Sequence, residues 1–133
     1  MSIDKDGFLV PVAVKDDHAA HPVAASWRGV LADIICAFVR EDYSLSTPIA
    51  GVAPVPLGVA EQIRAYVLDY GATLVNLPSE TWETSCAQWM GEYWTVLVDL
   101  WTQEETRSDL VLELQVVECG AEYRFTIKLV YVP

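Results

Sequence analysis

WETSCAQWMGEYWTVLVDLW, residues 82–101, is the stretch on which the fold turns. Its second half alternates, with Trp94, Val96, Val98 and Leu100 on one side of a strand and Tyr93, Thr95, Leu97, Asp99 and Trp101 on the other. Gly91-Glu92 sits where a two-residue turn would fold the chain back, and glycine in the first central position suits the type II′ turn, whose twist matches its flanking strands. That turn sets Trp89 opposite Trp94 and Trp82 opposite Trp101, two aromatic cross-strand pairs of the kind that stabilises sheets. Parity puts the two pairs on opposite faces. Ala87, Trp89, Trp94, Val96, Val98 and Leu100 make a core face. The other face holds Trp82, Thr84, Cys86, Gln88, Met90, Tyr93, Thr95, Leu97, Asp99 and Trp101, and it mixes aromatic rings with polar groups. A bulge in this hairpin would overturn the partition.

Toward the C-terminus, residues 109–129 (DLVLELQVVECGAEYRFTIKL) alternate again. With Cys119-Gly120 as the turn, Leu112, Leu114 and Val116 meet Ile127, Phe125 and Tyr123, and Leu129 stands opposite Leu110. The reverse side sets Asp109, Val111, Glu113, Gln115 and Val117 against Glu122, Arg124, Thr126 and Lys128, as in a sheet with one buried and one wetter face. Glu113 then reaches Arg124 or Lys128 diagonally, an interaction worth ~0.2–1 kcal/mol. Thr102–Ser108 (TQEETRS) joins the two hairpins as an acidic loop, with Arg107 able to fold back onto Glu104 or Glu105.

Toward the N-terminus the period changes. Thr73–Leu77 reads as a short strand ended by Pro78. A helix over about Val59–Tyr70 turns Val59, Ile63, Tyr66, Val67 and Tyr70 inward, with Gly71 placed to cap it. Another, over roughly Val23–Arg40, carries the stripe Trp27, Val30, Leu31, Ile34, Ile35 and Phe38. Gly29 weakens that helix or admits a close neighbour. Between the helices, Pro48, Gly51, Pro54 and Pro56 mark a long loop. Residues 1–22 read as an extended arm. In it Phe8–Val14 has β-type composition that Pro11 confines to an edge or an extended segment, and Asp16, Asp17, His18 and His21 form a polar turn. The expected architecture is α+β, with two N-terminal helices packed on one face of an antiparallel β-meander of about four to five strands, in one domain over residues 23–133. A curved sheet enclosing a pocket is the close alternative.

Composition limits the function. With 53% hydrophobic and 20% charged residues in 133, the chain can bury one core, which excludes wholesale disorder. No apolar run approaches the ~18–20 residues of a membrane span, and Met1–Gly7 leads into no signal-type apolar core, so a cytoplasmic location is expected. Cys36, Cys86 and Cys119 are odd in number and far apart, and read as free thiols. The net charge is −11, and Glu80–Glu122 holds ten acidic residues against Arg107 alone. Such a field repels phosphate backbones and anionic membranes, so neither nucleic acid nor membrane is an expected partner, whereas a basic protein is.

The mixed face supplies the candidate binding residues, Trp82, Gln88, Tyr93, Asp99 and Trp101, because tryptophan and tyrosine combine large apolar area with a hydrogen-bonding tip. Asp99 invites a catalytic reading, since burial of a mid-strand carboxyl raises its pKa, but no second catalytic group accompanies it. His18 and His21 beside Asp16 and Asp17 lack the fixed geometry of a metal site. The glycines form no phosphate-cradling motif, so no cofactor is expected. The reading is a non-enzymatic acidic protein-binding module that uses a sheet face. Its alternatives are a small-molecule binder or enzyme with a pocket between sheet and helices, lined by Asp99, Tyr93 and the tryptophans, and a homodimer formed through the same face.

YGATLVNLPSETWETSCAQWMGEYWTVLVDLWTQEETRSDLVLELQV (residues 70–116) and the closing LVYVP (residues 129–133) resemble a family of small bacterial proteins classed as a domain of unknown function. The distinctive pieces are WETSxAQWMG at Trp82–Gly91, DLWT at Asp99–Thr102 and SDLVLEL at Ser108–Leu114. The resemblance covers roughly residues 59–133 and, more loosely, the first helix. It implies a bacterial source and one structural unit, and it brings no functional residues. At the level of architecture alone, the chain is also similar to small acidic immunity proteins and to the cone of nuclear-transport-factor-2-like proteins.

Overall fold

The computed structural model describes residues 2–3 and 9–133, so the start of the expected extended segment, at Phe8, and the polar residues Asp4–Gly7 lie outside the described residues. Strands β1 (Ser2–Ile3) and β2 (Leu9–Val10) pair antiparallel, and Pro11, which has no N–H for a ladder, follows. The main sheet has five antiparallel strands in sequence order: β3 (Ala20–Pro22), β4 (Cys86–Trp89), β5 (Trp94–Thr102), β6 (Thr106–Cys119) and β7 (Glu122–Tyr131). The fold is α+β, with both helices packed on one face of this sheet. His21, expected in a turn, lies in β3 and pairs with Ala87.

A 3-10 turn (Ala25–Trp27) leads into α1 (Arg28–Val39), where Leu31, Ile34, Ile35 and Phe38 recur at helical spacing and are all buried. Nothing approaches Gly29 closely. Helix α2 (Leu57–Tyr70) buries Ala60, Ile63 and Val67. Tyr66 lies off that stripe and is 45% exposed, against the inward position its sequence neighbourhood suggests. The helix ends in a Schellman motif, with Gly71 left-handed at φ 77° and the Gly71 and Ala72 N–H groups donating to Leu68 and Val67.

The first hairpin has the expected register, Trp89 opposite Trp94 and Cys86 opposite Leu97. Trp82 departs from it. The ladder stops at Cys86, and Trp82 falls in a 3-10 turn (Ser79–Glu83), so no Trp82–Trp101 pair forms. Side chains complete the edge of β5 where β4 ends: the Asp99 N–H donates to the Ser85 hydroxyl, and the Thr81 hydroxyl donates to the Asp99 carbonyl. Beyond them the expected strand at Thr73–Leu77 is reduced to a bridge between Leu74 and Thr102, with Val75 N–H on the Trp101 carbonyl and Gln103 N–H on that of Thr73.

The second hairpin turns at Gly120-Ala121 rather than Cys119-Gly120, because the positive φ (65°) at the first central residue falls to glycine, as it does at Gly91. Val116 therefore faces Phe125 and Leu114 faces Ile127, two residues from the expected register and on the same face. A bulge follows. Glu113 pairs with Leu129, Lys128 is left over, Leu129 moves to the outer side, and Val130 takes the core position in its place. Among the described residues Glu113 forms no ion pair with Arg124 or Lys128, and Arg107 forms none with Glu104 or Glu105. Glu104 accepts instead from the Thr73 N–H, and Arg107 stands opposite Trp101.

At the β7 edge, the Gly51 carbonyl and Ala53 N–H bond the Phe125 backbone, while the Gln62 side-chain amide bonds both the N–H and the carbonyl of Val130. Both long edges of the sheet are thus partly occupied by the chain itself.

Candidate functional site

Strand alternation gives the sheet two unlike sides. Toward the helices, Val96, Val98, Leu100, Leu110, Leu112 and Leu114 are fully buried against Leu31, Ile34 and Ile63, so this interface is filled. Trp27 stands edge-on to Trp94, Tyr123 and Phe125 with ring centres 5.2–6.2 Å apart, and these rings close one end of the core. The outer side carries three registered rows: Gln88–Thr95–Gln115–Thr126, Cys86–Leu97–Glu113–Leu129 and Asp99–Val111–Tyr131. Apart from Val111, which is buried, these residues are half-buried, shielded by their sheet neighbours while both helices lie on the opposite side.

An apolar strip of Leu97, Val111 and Leu129 thus lies among an acid, a thiol and a phenol. Asp99 accepts a hydrogen bond from the Thr84 hydroxyl. Burial, and then the charge of Asp99, pushes the Cys86 thiol up from its ordinary value. Burial also pushes the Tyr131 phenol up, followed by the charge of Glu113 and a hydrogen bond to it. Both groups therefore stay protonated at neutral pH, and a raised thiol is the opposite of what a cysteine nucleophile needs. The side presents hydrogen-bond donors, two carboxylates and aliphatic surface.

The five expected binding residues divide. Gln88 and Asp99 lie on the outer side, and Tyr93 shares their parity at the turn end of β5. The Gln88 amide also donates to the His18 carbonyl, which ties the arm to the sheet rim. Trp101 follows the irregularity between Asp99 and Trp101, and its enclosed indole N–H has no acceptor among the described residues. Trp82 is elsewhere: half-buried against the core, with the Arg28 guanidinium 5.4 Å from its ring centre. Leu129 and Tyr131 join the outer side only through the Lys128 bulge, which no residue pattern announces. Glu113 and Val111 were readable from parity once the two hairpins are taken as one continuous sheet.

His21 pairs with the Asp16 carboxylate and so fixes the arm beside β3. Among the described residues, no group of three or more His, Cys, Asp or Glu is placed to hold a metal ion. No helix among them is long and apolar enough to cross a membrane.

Compared with protein families, the chain matches the domain of unknown function DUF7668 over residues 35–133, and it belongs to that family. The match begins inside α1 and takes in α2 and β4–β7, leaving the arm and β1–β3 outside it. No curated protein and no solved structure matches the chain.

Proposed function

We propose that this domain is a non-enzymatic protein-binding module of the bacterial cytoplasm, which docks a basic partner on the outer side of its sheet. The observation that carries the reading is the contrast between the two sides of the same strands: one is filled by helices, and the other leaves Leu97 and Leu129 half-buried on either side of Glu113, with Asp99 two residues along the strand from Leu97. Aliphatic surface beside acceptors suits a partner that brings lysine or arginine with apolar flanks. The occupied edges favour docking on the face over addition of a strand. A net charge of −11 opposes a second copy of the chain in that place.

The registered rows cover on the order of 20 Å by 15 Å at sheet spacings. That is well under half of the ~800 Å² per partner in a standard interface, so the rim must contribute or the complex is transient. The test is affinity capture from source-cell lysate with the wild-type chain and with Leu97→Arg. A basic protein held by the wild type at low salt, released at high salt and lost with Leu97→Arg is the expected result. Equal capture by both proteins would remove the outer side as the docking surface.

A further inference from the structure

At the turn end of the sheet, on the side facing the helices, two indoles meet at an angle beneath the arm, Trp94 buried and Trp89 half-buried. Trp89 and Trp94 face each other across the first hairpin with ring centres 4.6 Å apart and planes inclined at 57°. The Lys15 ammonium lies 5.2 Å from one ring centre and 5.8 Å from the other, and the Glu118 carboxylate pairs with it from β6. Both charged side chains are about half exposed. The arm that delivers Lys15 is fixed through its backbone, with the Trp94 indole N–H on the Val14 carbonyl and the Ala25 N–H on that of Pro11. Those bonds hold the strap without help from the lysine.

We propose that Trp89, Trp94 and Glu118 form a cation cage whose resident is the chain's own Lys15, and that an external ammonium, such as a lysine side chain of a basic protein, can take its place. Indole faces attract a cation more than other aromatic rings do, and a carboxylate at the mouth adds charge selectivity. Tryptophan pairs closed by an acid exclude anions and give neutral ligands no comparable attraction. Glu92 and Glu122, at the two hairpin turns, stand at the same end of the sheet and deepen the negative field there. Lys15 acts as a tethered competitor. An external cation meets the cage only in the fraction of molecules from which Lys15 has swung out, so its apparent affinity falls by that fraction. The inference does not rest on the outer side of the sheet, since the cage lies at the opposite side's rim.

The experiment titrates the full chain with tetramethylammonium chloride against sodium chloride at equal ionic strength and reads tryptophan fluorescence. Lys15→Ala, at a half-exposed position, should give a saturable change at least about tenfold lower in concentration than the wild type. Adding Trp89→Ala to that variant should abolish the change, and adding Glu118→Gln should weaken it severalfold. Leu97→Arg should leave it intact, which separates this site from the outer docking surface. In wild-type protein the Lys15 ε-methylene protons should show ring-current shifts that relax as tetramethylammonium is added. No saturable response from Lys15→Ala, a response that survives Trp89→Ala, or Lys15 protons unmoved throughout the titration would each overturn the proposal.

Discussion

Leu112 and Leu97 are the same residue type on neighbouring strands of one sheet, and they lead different lives. Leu112 is fully buried among helix side chains, while Leu97 is only half-buried between Cys86 and Glu113. The helix-facing side is where stability resides, and its composition is dictated by packing. The outer side is free of that demand and carries the polar residues of a solvated sheet face, among them the acids and the phenol that the proposed docking would use.

The largest test of the contrast is Leu112→Ala, which should lower stability by about 2–5 kcal/mol in urea unfolding, as removal of a closely packed side chain does. Next comes Ser85→Ala. It removes the acceptor of the Asp99 N–H at the edge of β5 and should cost about 1–3 kcal/mol, because that donor has no ladder strand to replace it. Leu97→Ala should cost less than ~1 kcal/mol, in keeping with a site open to water. A loss equal to that of Leu112→Ala would mean that the outer side is packed, and the contrast would fail.

The smallest expected effect is on the alkaline side of the pH profile. Cys86 and Tyr131 have folded-state pKa values raised above their unfolded ones, chiefly by burial. Their contribution to stability is therefore complete below the unfolded thiol pKa of ~8.5 and is lost as pH rises through the folded values. The urea midpoint should fall as pH rises above about 8.5. Cys86→Ala should flatten the first part of that fall, and an unchanged profile in the variant would show that the thiol is not held in its neutral form.

Much of the fold was legible because period and punctuation agree. The stripe Leu31, Ile34, Ile35 and Phe38, the cap at Gly71 and the Gly91 turn each had one physical reading, and each appears in the structure. The second hairpin was readable too, since the rule that puts glycine first in the turn at Gly91 also selects Gly120 over Cys119. What stayed hidden depends on tertiary contacts. Trp82 looked like a strand residue because it could pair with Trp101, but the hydroxyls of Thr81 and Ser85 take the ladder positions there and release the chain into a 3-10 turn. The Lys128 bulge, which exchanges Leu129 for Val130 in the core, leaves no mark in residue type. Nor could spacing show that Lys15 reaches across to Trp89 and Trp94, residues far along the chain.

The most direct test of docking on the outer side uses two cysteines of the chain as internal reporters. Cys86 lies on that side, and exposed Cys119 lies beside the Gly120 turn, away from the registered rows. Alkylation rates of both are measured by mass spectrometry in buffer and in source-cell lysate, at low and at high salt. Docking predicts that lysate slows Cys86 relative to Cys119 at low salt and that high salt restores the buffer ratio. A Cys86-to-Cys119 ratio that is the same in buffer and in lysate at low salt would contradict it.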